Sequence, residues 1–106
     1  MINWQQISGA SELEGLLSTS DTVILFKHSE RCVVSRMAKR SFEAEYDGAT
    51  PVYLVNVIEE RPISNQIAQV THITHQSPQV LVIKGGQCVF HVSHDHINAE
   101  EVKKHL

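Results

Sequence analysis

Thr22-Val23-Ile24-Leu25-Phe26 is an unbroken apolar run opened by Asp21. A run that is β-branched and aromatic, and shows no alternation, forms a strand buried on both faces, the position of a central parallel strand. Pro51-Val52-Tyr53-Leu54-Val55-Asn56-Val57 repeats the pattern, with its proline at the first residue, where a missing N–H is tolerated. Between the two runs, Val34, Ala38 and Phe42 recur at helical spacing, joined by Val33 and Met37, and predict a helix from about 31 to 45. Leu13, Leu16 and Leu17 follow the capping-box spacing of Ser11-Glu12-Leu13-Glu14 and predict a helix near 9 to 19, weakened by Gly15. Glu59 to Val70 carries Ile63, Ile67 and Val70 on one helical face, with Pro62 in the first turn. Gln79 to Lys84 and Gln87 to Val92 flank Gly85-Gly86, the signature of an antiparallel hairpin. Asn98-Ala99-Glu100-Glu101 caps a last helix that ends in Lys103, Lys104 and His105, where the macrodipole favours positive charge.

With a short strand at Trp4 to Ile7, the order is strand, helix, strand, helix, strand, helix, hairpin, helix. Strands that alternate with helices pair in parallel through right-handed crossovers, and the hairpin adds antiparallel strands to the same sheet. The fold class is therefore α/β, a mixed four- to five-stranded sheet with helices on both faces.

Composition narrows the function more than the fold. A chain of 106 residues, 42% hydrophobic and 20% charged, reads as one domain over residues 1–106. The net charge of −3 argues against a nucleic-acid partner. The apolar runs fall far short of the ~20 residues that span a bilayer, so no membrane partner is expected. Met1 to Phe26 contains no Lys or Arg, so the basic start of a secretory signal is missing and a cytoplasmic location is expected.

Two cysteines, Cys32 and Cys88, lie too far apart in sequence to suggest a disulfide framework. Cys32 follows the first buried strand, at the first turn of the predicted helix, where unpaired N–H groups and the positive dipole end favour thiolate over thiol. Lys27, Arg31, Arg36, Lys39 and Arg40 place five of the nine basic residues around it, opposed there by Glu30 alone. Such surroundings lower a thiol pKa from ~8.5 toward ~3.5 to 7.5, so a reactive nucleophile is favoured over a packed small hydrophobe. Ser35 stands where a C-x-x-C motif has its second cysteine, so any disulfide at Cys32 is expected to be with another molecule. From one turn away Ser35 is placed to donate a hydrogen bond to the thiolate, or to serve as an ordinary early-helix serine. Ser77-Pro78 opens a strand, and sequence alone favours a trans edge proline over a cis one beside a ligand.

These segments resemble the monothiol bacilliredoxin (YtxJ-like) family of the thioredoxin superfamily. The likeness rests on Phe26-Lys27-His28-Ser29 leading to Cys32-Val33-Val34-Ser35, then His75 to Lys84, then His91-Val92-Ser93-His94. It implies a thioredoxin-like fold, a single nucleophile at Cys32, a cis-proline at Pro78 close to it, and removal of bacillithiol from client-protein mixed disulfides. Bacillithiol is then a co-substrate, and no cofactor or metal is expected. Lys27, His28, Arg31, Arg36, Ser77 and Pro78 become the substrate-binding candidates beside catalytic Cys32 and Ser35. The basic members are complementary to the malate carboxylates of bacillithiol, or form only a solvated face. Family members commonly read C-P-I-S, and Val33 replaces that proline here.

Three features stand outside this reading. Cys88 lies mid-strand as a packed small hydrophobe, remote from Cys32. His91, His94 and His96 with Asp95 form a histidine-rich stretch, but its spacing does not put three rings on one face. An inert thioredoxin-fold module that docks an acidic partner on its basic helix is the alternative to an enzyme.

Overall fold

The computed structural model describes residues 2–106. Its elements are β1 (Trp4–Gln5), α1 (Ala10–Ser18), β2 (Thr22–His28), α2 (Val33–Glu45), β3 (Val52–Asn56), α3 (Arg61–Thr71), β4 (Gln79–Lys84), β5 (Gln87–Ser93) and α4 (Ala99–Lys103), with a 3-10 turn at His94–His96 before α4. The sheet runs β1-β3-β2-β4-β5. β3 pairs in parallel with β1 and β2, while β4 pairs antiparallel with β2 and β5. The unbroken apolar run thus forms the central strand, as its lack of alternation requires.

Strand alternation divides the core in two. Ile24, Phe26, Val80 and Val82 pack with Phe42 and Tyr46 of α2 and its C-cap and with Ala99 and Val102 of α4. Val23, Leu25, Leu81 and Ile83 pack on the other face with Leu13 of α1 and Ile63 and Ile67 of α3. Gly85 and Gly86 both take positive φ, 57° and 79°, in the tight turn predicted between β4 and β5. Asn98 caps α4 as expected, its side chain accepting from the Glu101 N–H at 3.1 Å.

Two local expectations are corrected. Ser11 lies inside α1, and the carboxylate of Glu12 instead reaches back to the Ser8 N–H and hydroxyl at 3.1 and 2.6 Å. On α2, the predicted apolar face is wider than the core it meets: Phe42 is buried, whereas Val33 and Met37 are 58% and 67% exposed.

Candidate active site

β2 runs two residues beyond its apolar stretch, to His28, and the turn that follows delivers Cys32. The Cys32 N–H donates to the Ser29 carbonyl at 3.2 Å, and its own carbonyl accepts from the Arg36 N–H at 3.0 Å. Cys32 is therefore the N-cap of α2, in extended conformation. No side chain caps the N–H groups of that first turn, and no acidic residue lies within it. The positive end of a thirteen-residue helix is thus open beside a half-buried cysteine, an arrangement complementary to negative charge.

The expected hydrogen bond from Ser35 to the Cys32 sulfur is not formed. Ser35 is fully buried, and its Oγ accepts from the Ser29 N–H at 2.9 Å and lies 2.6 Å from His28 Nδ1. Its single hydroxyl hydrogen goes to Nδ1 when His28 carries its proton on Nε2. This brace joins the last residue of β2, the turn and the first turn of α2, and so fixes the segment that presents Cys32. His28, expected among the substrate-binding residues, is only 1% exposed. Its Nε2 sits 2.9 Å from Glu30 Oε1, but off the N–H direction, and makes no hydrogen bond.

Lys27 also departs from its expected role. It is 0% exposed, on the opposite face of the sheet, and its Nζ donates to the Ser64 carbonyl at 3.0 Å and meets His75 Nδ1 at 3.2 Å. Among the described residues no carboxylate pairs with it, and burial pushes its pKa down to about 8. It is therefore unavailable to a carboxylate approaching from solvent. Arg31 and Arg36 do remain on the surface, Arg36 donating to the Glu30 carbonyl at 2.7 Å. Arg36 and Arg40 line a shallow hollow of about 270 Å³ along α2, together with His28, Glu30, Lys39 and Glu43.

The Ser77–Pro78 peptide is cis, against the sequence-only preference for trans and in line with the family resemblance. Gln79 pairs with Lys27 in the antiparallel register, so Pro78 falls opposite His28, at the end of the sheet where the Cys32 turn begins. The Pro78 carbonyl accepts from the His94 N–H at 3.0 Å. Buried Gln79 braces the preceding segment, donating to the Thr74 carbonyl at 3.0 Å and accepting from the Gln76 N–H at 3.4 Å. Ser77 Oγ is buried without a partner. Val33, Val34, Met37 and Ile58 are exposed, the first three flanking Cys32 along α2.

His75 and Gln79 lie in the stretch that carries the resemblance, but no site role was read for them or for Ser64, because nothing in their spacing links them to Lys27. The available signal was Lys27 itself, a lysine continuing the register of a strand buried on both faces.

Cys88 is half-buried on edge strand β5, its Sγ directed to the Phe90 carbonyl at 3.4 Å, and burial raises its pKa. It pairs with Ile83, five residues along β4 from Pro78. That is roughly 17 Å along the strand, far beyond the ~7 Å Cα separation a disulfide tolerates. Among the described residues no group of three or more His, Cys, Asp or Glu side chains converges on a metal position, and His94 and His96 lie in an exposed 3-10 turn.

The family model described as monothiol bacilliredoxin BrxC matches residues 5–102. Among solved structures, a thioredoxin-fold protein provisionally assigned as an oxidoreductase is 27% identical, with a TM-score of 0.81 over 95% of this chain and 91% of that one. Thioredoxin from Malassezia sympodialis is similar at 18% identity and TM-score 0.76, covering 98% of this chain and 88% of its own. Thioredoxin from Trypanosoma brucei brucei is similar at 12% identity and TM-score 0.74, covering 96% and 86%. The chain has the thioredoxin fold and belongs to the monothiol bacilliredoxin family, which assigns it to thiol redox chemistry.

Proposed function

Starting from that membership, we propose that this protein removes bacillithiol from protein mixed disulfides, with Cys32 as its single nucleophile. The observation that carries the reading is the position of Cys32. It caps an open helix N-terminus, Ser35 stands where a second cysteine would resolve the intermediate, and Cys88 lies at the far end of β4 and β5.

The Cys32 thiolate attacks the bacillithiol sulfur of the client's disulfide, a new S–S bond forms, and the client leaves as its thiolate. A second bacillithiol thiolate then attacks the bacillithiol sulfur held on Cys32. It restores the Cys32 thiolate and leaves as the symmetric bacillithiol disulfide. No net oxidation of the protein occurs over the cycle. Exposed Arg31 and Arg36 are complementary to the bacillithiol carboxylates. The exposed Val33, Val34 and Met37 suit a protein client rather than a small thiol alone. With clients of this kind the reaction belongs to the cytoplasm, and no resident cofactor takes part.

The test is a mass spectrum after treatment with bacillithiol disulfide. A one-to-one bacillithiol adduct is expected, absent from Cys32→Ser. No adduct, or an internal Cys32–Cys88 disulfide, would overturn the reading. The same exposed apolar residues also favour a second reading, an inert docking module; a Cys32 that iodoacetamide alkylates no faster than free cysteine would select it.

A further inference from the structure

Lys27 is fully buried, and among the described residues its partners are neutral, the Ser64 carbonyl of α3 and the ring of His75. Buried ammonium groups ordinarily have a carboxylate partner, because water is otherwise lost without compensation. His75 lies three residues before Pro78, in the segment that joins α3 to β4. Its Nδ1 is also 3.3 Å from Ser64 Oγ, so strand, helix and segment meet at one point. We propose that Lys27 is a positioning residue for the exchange reaction, acting through His75 to hold the segment 72–78, and with it Pro78, in the geometry that receives the client. This rests on the exchange reading given above.

The contact depends on the protonation of His75. Nδ1 accepts from Lys27 only when the ring is neutral with its hydrogen on Nε2. The charged groups acting on the ring are Lys27 from β2 and Arg61 from α3, both cations. Burial, then Lys27, then Arg61 hold the ring below its ordinary 6.5. A second proton removes the acceptor and sets two cations against each other. The segment is thus held at neutral pH and released on acidification.

The experiment measures KM and kcat for a bacillithiolated protein client in wild type, Lys27→Met, His75→Ala and His75→Gln. It also follows the amide NMR shifts of Gln76, Ser77 and Gln79 against pH in a Cys32→Ser background, where the active thiol does not titrate. Lys27→Met and His75→Ala should raise KM about tenfold with little change in kcat, the scale of one hydrogen bond to a charged group. His75→Gln retains an acceptor without a titrating ring, so its KM should match wild type at neutral pH. It should also lose the amide titration expected of the wild-type histidine. Unchanged KM in Lys27→Met and His75→Ala, or an amide titration that persists in His75→Gln, would overturn the proposal. A protein that exchanges with no bacillithiolated client refutes the functional reading instead. The amide titration then decides the clamp alone, with flat shifts in the His75-containing protein counting against it.

Discussion

Replacing Lys27 by methionine should stabilise the protein, although it removes two hydrogen bonds. The lysine is held at about 8 against an ordinary 10.5 because burial disfavours its charged form. At 1.36 kcal/mol for each pH unit, that gap amounts to roughly 3 kcal/mol of instability at neutral pH. A folded-state pKa below the unfolded one means that the unfolded chain binds more protons between the two values. Stability from this residue therefore rises with pH from about 8 to 10.5, and the full penalty stands below about 8. Methionine fills nearly the same volume without the charge. Ser64 lies within α3, so its carbonyl keeps a helical acceptor role when Lys27 Nζ is gone. Allowing for the lost bonds, Lys27→Met should gain about 1 to 3 kcal/mol at pH 7, which in a domain of this size raises Tm by about 4 °C or more. Urea unfolding of both proteins across the pH range measures this, and the difference between them cancels every titration they share. A variant less stable than wild type at pH 7, or a difference that does not shrink between pH 8 and 10.5, would refute the reasoning.

Ser35→Ala should lose about 1 to 3 kcal/mol, because the part-buried Ser29 N–H and the buried His28 Nδ1 both lose their partner; chemical denaturation measures the loss, and faster hydrogen exchange at Ser29 should accompany it. Cys88→Ala should retain exchange activity while losing about 1 kcal/mol of stability; an activity loss like that of Cys32→Ser would make Cys88 a participant. Gly86→Ala should destabilise by about 1 to 3 kcal/mol, since φ is 79° and a Cβ would strike the Leu17 carbonyl oxygen. Gly85→Asn, at φ 57° with open space around the site, should be far milder in the same thermal melt.

The fold was legible where one physical rule governed a segment. Val23 to Phe26, buried on both faces, could only be a central strand, and Gly85-Gly86 could only be a tight turn. The site was legible at Cys32, because its position after a strand and before a helical stripe fixes it at a helix end. Legibility failed where polarity was taken as a boundary. Lys27 and His28 end the apolar run, yet β2 continues through both, and both are buried. Hydrophobic spacing had the opposite weakness on α2. Val33, Val34 and Met37 share a helical pattern with Phe42, but periodicity does not distinguish a face that meets the core from one left to solvent beside Cys32. His75 lay within the resemblance, but its contact with Lys27 had no local signal, since the two are 48 residues apart.

The end of β2 explains how one strand serves both halves of the site. Consecutive side chains leave a strand on opposite faces. Lys27 therefore reaches Ser64 and His75 on the α3 side, toward the segment bearing Pro78, while His28 reaches Ser35 on the α2 side, toward the turn bearing Cys32. The two networks share no side-chain partner and are joined by the backbone of the most buried strand. Mutations without shared partners add within ~0.3 to 0.5 kcal/mol. The double variant Lys27→Met with Ser35→Ala should thus have the sum of the two single effects, a gain on one face offset by a loss on the other. A double-mutant cycle by urea unfolding at pH 7 measures the difference. Coupling above about 1 kcal/mol would show that β2 transmits strain between its faces, and that the Cys32 turn and the Pro78 segment are set together rather than separately.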